Sequence, residues 1–323
     1  MPNPTISARA NERPEPRLGV LGSAVFSAAL YGGALYGMAL QLPVLVPFIF
    51  VSPFPLMVTR LRSGLLAATS GSIFAAALVG AVFAPSQSIG YLLLLVPVLL
   101  IPEAMARGRG IVRGCGWAFA MLVAQVATAL LFAHPSMEAL ALASIENMRS
   151  PAYLAELSAA WPAERVEAWV EGVNATYNAM AIVYPAAYVI MAALLVLLNA
   201  ALLRGYLVRR DPGWLDGGEF ERVRWPFATA VAFVLAGIAV VFPPLRPSAY
   251  NVLLVVSFFF ALQGLAVVAF YAFRLAAPPF LRWAVLLLVV MNPWAPQILA
   301  AIGLFDTWFD FRKWAEPPDP KRA

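Results

Sequence analysis

LGVLGSAVFSAALYGGALYGMALQ, residues 18–41, carries no charged side chain over its 24 positions. At about 1.5 Å per residue, a helix of this length covers the roughly 30 Å hydrocarbon core of a bilayer. It is far longer than the apolar core of a cleavable leader, about 7–15 residues, and so reads as a retained membrane span. One face lacks bulk: Ala24, Ala28 and Gly32 recur at four-residue spacing, with Ala29, Gly33 and Gly37 beside them. On a helix these line up as a shallow groove that admits a second helix at close range. That helix belongs either to this chain or to a partner docking at Ala24, Ala28 and Gly32.

Working outward, the composition agrees with the first stretch. Hydrophobic residues make up 62% of the 323, charged residues only 12%, and the mean hydropathy is +0.79, which excludes a soluble globular protein. Apolar runs recur, and in lipid only a helix or a closed barrel satisfies its own backbone. The expected fold is all-α: a polytopic helical membrane protein with eight to nine transmembrane helices. After the first span come 42–62, 63–83, a span ending near 101, 116–133, 175–203, 225–242, 250–273 and a last apolar run at 283–305. Pro43, Pro47, Pro53 and Pro55 remove four backbone donors from the second segment, so its helix must break and its freed carbonyls must be satisfied inside the protein.

Between the fifth and sixth spans the pattern changes. Leu154, Leu157 and Trp161, then Val166, Trp169, Val170 and Val173, fall at helical spacing opposite Glu156, Glu164, Glu167 and Glu171. This predicts two amphipathic helices lying on the membrane surface, with Trp161 and Trp169 at the interface. The expected organisation is a disordered cytoplasmic segment (1–17), a six-span core (18–208) whose residues 134–173 form an outer lid, a basic linker (209–224), C-terminal membrane helices (225–312) and a polar tail (313–323).

The net charge of +5 rests on 20 arginines and 2 lysines. In a membrane protein that excess reports topology before partners, and nucleic-acid binding is not expected. With a cytoplasmic N terminus, the inner loops carry fifteen arginines and the outer loops three, Arg149, Arg165 and Arg246. The last run leaves the tail open. A single crossing puts Arg312, Lys313, Lys321 and Arg322 outside, and a re-entrant hairpin at Asn292-Pro293 returns them inside.

No span carries an ionisable residue in its middle, which argues against a proton-driven pump, a voltage sensor or an acidic-filter channel. No Walker loop, Gly-x-Ser-x-Gly elbow or His-Glu-x-x-His helix is present, so no enzyme activity, catalytic residue, cofactor or metal is expected. Asp306 and Asp310 lie four apart, a spacing that suits a divalent metal. It suits equally a juxtamembrane acidic pair balanced by Arg312 and Lys313. Uncharged polar groups gather in the outer halves of the spans. Tyr36, Tyr91, Gln125, Thr128, His134, Asn178, Tyr184 and Tyr188 are the candidate lining of a small-molecule pocket, with Gln41, Gln87, Asn174 and Tyr177 at the same depth. The alternative role of the set is helix-to-helix hydrogen bonding and an interfacial tyrosine belt. The acidic face of the surface helices favours a cationic ligand.

Three short motifs carry a resemblance. The ending Leu304-Phe305-Asp306-Thr307-Trp308-Phe309-Asp310-Phe311-Arg312, the Gln263-Gly264-Leu265 of the eighth span and the early Ser52-Pro53-Phe54-Pro55-Leu56 resemble the YybS-like family of bacterial inner-membrane proteins. That family is distantly similar to the substrate-binding S components of energy-coupling-factor transporters. The resemblance implies a multi-pass bacterial inner-membrane protein whose first six spans form a solute-binding scaffold. It also implies that the first span docks on a transmembrane coupling subunit that works with ATPases. Helices from residue 225 onward are not part of such a scaffold, and no vitamin-specific residue set is recognisable. The expected function is a small-solute binding or transport module; the alternative is a structural or regulatory membrane protein that assembles with partners and binds no solute.

Overall fold

A computed structural model describes residues 17–40, 42–215, 223–274, 292 and 294–315. The expected disordered N terminus, the middle of the basic linker, most of the last apolar run and the end of the tail lie outside the described residues. All regular elements among those described are helical: α1 (Arg17–Ala39), α2 (Phe48–Val51), α3 (Phe54–Val82), α4 (Pro85–Ala106), α5 (Gly110–Phe132), α6 (His134–Met148), α7 (Pro151–Ala160), α8 (Ala163–Arg210), α9 (Phe227–Ala239), α10 (Arg246–Arg274) and α11 (Ala295–Phe309). Six segments among them are long and apolar enough to cross a membrane: Gly19–Ala39, Phe48–Val82, Pro85–Ala106, Gly110–Phe132, Ala163–Arg210 and Pro243–Ala272. Six stand where eight to nine spans were expected, because 42–62 and 63–83 fall in the one segment Phe48–Val82, α9 and α11 have only 13 and 15 residues, and the 283–291 stretch is not described. Large apolar side chains such as Leu66, Leu131 and Phe132 lie open on the surface, as lipid-facing residues must.

The Pro-rich second segment breaks as expected. Its 3₁₀ turn at Pro43–Leu45, the one-turn α2 and the start of α3 replace one continuous helix. Three carbonyls of the segment are taken by side chains. Ser52 Oγ donates to Ile49 O at 2.8 Å, Asn199 Nδ2 to Phe50 O at 2.7 Å, and the Ser27 hydroxyl to Ser52 O. Farther on, Gly64 adopts φ +85°, ψ −179°, a conformation closed to most L residues, and there α3 reverses. The proof is lateral contact: a Cβ on Gly71 would meet Leu56 at 3.0 Å, although a straight helix would hold residues 15 apart about 22 Å from each other. The separate spans expected at 42–62 and 63–83 are thus the two arms of one hairpin.

The chain divides into two compact units, Met1–Thr128 with Met191–Gly218, and Ala129–Ile190 with Glu219–Ala323. In the first unit, Gly108 and Gly110 take positive φ to turn α4 into α5, and Gly114 lets α5 approach the backbone of Ile101, where a Cβ would come within 2.7 Å. Leu195, Val196, Leu203 and Leu207 of α8 complete an apolar core with Met57, Val98, Ile101 and Leu122. At one end Glu103 accepts from Arg60 Nε and Arg107 Nε, both at 2.6 Å.

The second unit corrects the surface-helix expectation. Residues 151–160 do form a separate helix, α7, but 163–173 are the first turns of α8, which continues as one 48-residue helix. Pro162 starts that helix, and nothing between Ala163 and Pro185 stops it from running on into the apolar sequence that follows. Within this unit α10 and α11 pack backbone to backbone at Gly264 and Gly303: a Cβ on either would lie 2.0 Å from a carbonyl of the other helix. They run in the same direction, since Phe260 and Gly264 meet Gly303, Gln263 meets Asp306 and Tyr271 reaches Phe311. The end of α11 therefore returns to the residues that lead into α9, with Arg312 Nη2 donating to Val223 O at 2.9 Å. Arg312 thus stands beside the end of the linker, as expected of an arrangement that returns Arg312 and Lys313 to the linker's side.

Candidate functional site

Helix α6 begins at His134-Pro135, where proline suits a first turn because its missing N–H has no intrahelical partner there. It then runs antiparallel along residues 177–188 of α8. At one end the His134 ring stands edge-on to Tyr184 (centroids 5.7 Å apart, 80°) and Tyr184 edge-on to Tyr188 (6.4 Å, 88°). Tyr188 OH donates to Met137 O at 3.0 Å, tying the two helices together. Leu142, Ile145 and Val173 are buried along the middle. At the other end the Arg149 guanidinium lies over the Tyr177 ring, 4.3 Å from its centroid, with Nη1 3.4 Å from Glu146 Oε2. A cavity of about 200 Å³ opens there, lined by Met148, Arg149, Leu154, Val170, Val173 and Asn174. It is smaller than the 300–1,000 Å³ usual for small-molecule pockets and admits only a compact group.

At the His134 end of this seam a buried polar atom is left over. Tyr184 is 3% exposed, and its hydroxyl has no hydrogen-bond partner among the described residues. A buried hydroxyl without a partner costs roughly 1–3 kcal/mol. Beside it, Glu138 Oε2 stands 3.9 Å from His134 Nδ1, an ion-pair distance but too long for a hydrogen bond. A carboxylate, a buried hydroxyl and three aromatic rings thus gather around His134 and Tyr184 at one end of the seam.

Immediately beyond Tyr184, Pro185 interrupts α8. The side-chain amide of Asn251 on α10 fills the gap: its Oδ1 accepts from Ala186 N and its Nδ2 donates to Ile182 O, both at 2.8 Å. Those two backbone groups would bond each other in an unbroken helix. Asn251 thus pairs both of these backbone groups beside the proline.

Of the eight candidate pocket residues, the structure brings His134, Tyr184 and Tyr188 together. Asn178 is exposed on the same helix. Tyr91 is fully buried in the first unit, where it shares a 2.6 Å hydrogen bond with Ser27 Oγ and stands edge-on to Tyr31, 5.1 Å away. That network braces the Pro-broken segment. Tyr36 is exposed, Gln125 is half-buried, and Thr128 donates to Ala124 O of its own helix at 2.8 Å. Ala24, Ala28 and Gly32 are all buried within this chain: Ala24 lies against Gly71 and Gly32 against Phe83. The small-residue face seats the second arm of the α3 hairpin.

The carboxylates near the C terminus are occupied by this chain's own donors. Asp306 Oδ2 receives Gln263 Nε2 at 3.0 Å and Arg312 Nη2 at 3.2 Å, and Oδ1 receives Phe311 N at 3.1 Å. Gln263 Oε1 accepts from Trp225 N at 2.9 Å, which pins the entry to α9. Asp310 pairs with Arg224 and, at 3.0 Å, with Lys313 Nζ. Burial pushes the Asp310 carboxyl up, but hydrogen bonds from Arg224 and Lys313 and their charges outweigh it and hold the carboxyl below its ordinary value. The expected balancing of this acidic pair by Arg312 and Lys313 is what the geometry shows. No group of three or more histidine, cysteine, aspartate or glutamate side chains is placed to hold a metal among the described residues.

Sequence reasoning missed Ser27, Asn199, Asn251 and Gln263 as organisers. Each is a lone amide or hydroxyl in an apolar span, a signal that bonding across helices is required, although sequence does not say to what. No curated protein and no solved structure matches the chain. A family model described as predicted membrane protein, DUF2232, matches residues 34–307. That match takes in most of the chain, from α1 through the Gln263–Asp306 network, and the protein belongs to that family of integral membrane proteins.

Proposed function

We propose that this membrane protein binds a small polar solute in the seam between α6 and α8. The observation that carries the reading is the buried Tyr184 hydroxyl, which has no hydrogen-bond partner among the described residues although its ring packs edge-on with His134 and Tyr188. The cavity at the Arg149 end supports it, since the same seam is incompletely packed there. A solute bound at the Tyr184 end supplies the missing hydrogen bond, while the cavity at the opposite end of the seam lies against Leu154 of α7 and Val170 and Val173 of α8. Transport would draw energy from separate subunits, because the sequence has no Walker-type loop.

The test is to extract the protein from its native membrane in mild detergent, denature it and analyse the released small molecules by mass spectrometry. A stoichiometric metabolite is the expected result. A preparation that repeatedly releases none would contradict solute binding and favour a purely structural role.

A further inference from the structure

We infer that the Glu138 end of the α6–α8 seam binds the ammonium group of a small amine; the inference rests on the solute-binding reading above and names the class of solute. The Glu138 carboxylate has no closer partner among the described residues than His134 Nδ1 at 3.9 Å, so both oxygens keep acceptor capacity. Glu138 and Tyr184 flank the same imidazole, the carboxylate 3.9 Å from His134 Nδ1 and the Tyr184 ring centroid 5.7 Å from that of His134, and the buried Tyr184 oxygen has no hydrogen-bond partner among the described residues. An ammonium group is a compact donor with up to three N–H bonds. It can give one to Glu138 and one to the Tyr184 oxygen without needing an acceptor that this chain has already used. The Met137 carbonyl, by contrast, is taken by Tyr188.

Ring geometry favours the same ligand. The His134 and Tyr184 rings meet at 80° and the Tyr184 and Tyr188 rings at 88°, giving right-angled aromatic walls beside the carboxylate. A cation over such faces gains roughly 0.5–2 kcal/mol, whereas an anion is repelled by them. The surrounding field has the same sign: residues 134–173 hold six glutamates against two arginines, and both arginines are engaged, Arg149 over Tyr177 and Arg165 over Trp161. A carboxylate-bearing solute would meet this field unfavourably at the Glu138 end.

Three probes with one tert-butyl body separate the possibilities: tert-butylammonium, tert-butanol and pivalate, titrated at pH 7 into the full-length protein in detergent and followed by ligand-observed NMR. The ammonium probe is expected to bind about tenfold more tightly than either of the others, and Glu138→Gln is expected to remove that preference. Glu138 is partly exposed, so this variant should fold, and an unchanged melting temperature confirms it. Tyr184→Phe, which keeps the ring and removes the hydroxyl, is expected to weaken the ammonium probe about threefold. Equal affinity for all three probes, a preference for pivalate, or an ammonium preference that survives in Glu138→Gln overturns the amine assignment and leaves solute binding standing. No binding by any probe, together with no co-purified metabolite, overturns both.

Discussion

The amide of Asn251 stands in the break that Pro185 makes in α8, bonded to Ala186 N on one side and Ile182 O on the other. Proline costs a helix its hydrogen bond, and in a membrane no water replaces it. Here a side chain from α10 takes over, and in doing so couples α10 to the stretch of α8 that carries Tyr184 and Tyr188.

Replacing Asn251 by leucine should therefore leave a backbone donor and a backbone acceptor buried, at about 1–3 kcal/mol each. The expected outcome is a clear fall in melting temperature in detergent. Adding Pro185→Ala to that variant lets Ala186 N–H bond Ile182 O directly and should restore much of the loss. A double variant no more stable than Asn251→Leu alone would show that the amide acts otherwise.

Gly264 and Gly303 are the points where α10 and α11 touch through their backbones. Alanine at Gly303 would place a Cβ 2.0 Å from Phe260 O, which neither rotamer change nor small adjustment relieves. Gly303→Ala should lower the melting temperature sharply. Gly237→Ala on α9, where no atom lies within 4 Å, should leave it unchanged or raise it slightly. Equal effects at the two sites would contradict the close packing.

Much of this architecture was legible in the sequence, and the reasons are local. The span of α1, the Pro-broken second segment and the basic turn after α4 follow from hydropathy, from proline chemistry and from arginine placement. Reversal at Gly64 is signalled by Arg60 and Arg62, which end one apolar run before the next begins. The course of residues 163–173 was misread because an amphipathic stretch looks the same whether it lies alone or begins a longer helix. Part of the candidate cluster was legible. Depth along the spans selected His134, Tyr184 and Tyr188, which the fold brings together, but it also selected Tyr91, whose hydroxyl bonds Ser27 in the first unit. Depth carries no information about which helices are neighbours.

Asp310 gives a pH dependence with a defined sign. Its folded pKa is lowered from 3.8, so its pairing with Arg224 and Lys313 contributes stability at pH above that ordinary value. That contribution is lost as the pH falls through the lower folded value. The melting temperature of the native protein should therefore drop more steeply below about pH 4 than that of Asp310→Asn, which has already lost the pairing. Parallel curves would contradict the assignment.

The contact of Arg312 with Val223 O places the start of the tail beside the linker. In a Cys115→Ala background, single cysteines at Gly213 and Lys313 should react with a membrane-impermeant maleimide from the same side of sealed vesicles. Labelling from opposite faces would restore the single-crossing arrangement.

The central claim is that the Tyr184 hydroxyl is reserved for a solute, and it separates cleanly from a structural role. A hydroxyl that braces the fold stabilises the empty protein. One that waits for a ligand burdens it, so Tyr184→Phe should raise the melting temperature of the ligand-free protein while weakening ligand retention. The most direct measurement is native mass spectrometry of the two proteins released from membranes under identical conditions. The account predicts a small-molecule adduct on the native protein that is depleted on Tyr184→Phe. Two proteins without adducts, or with equal adducts, would contradict it.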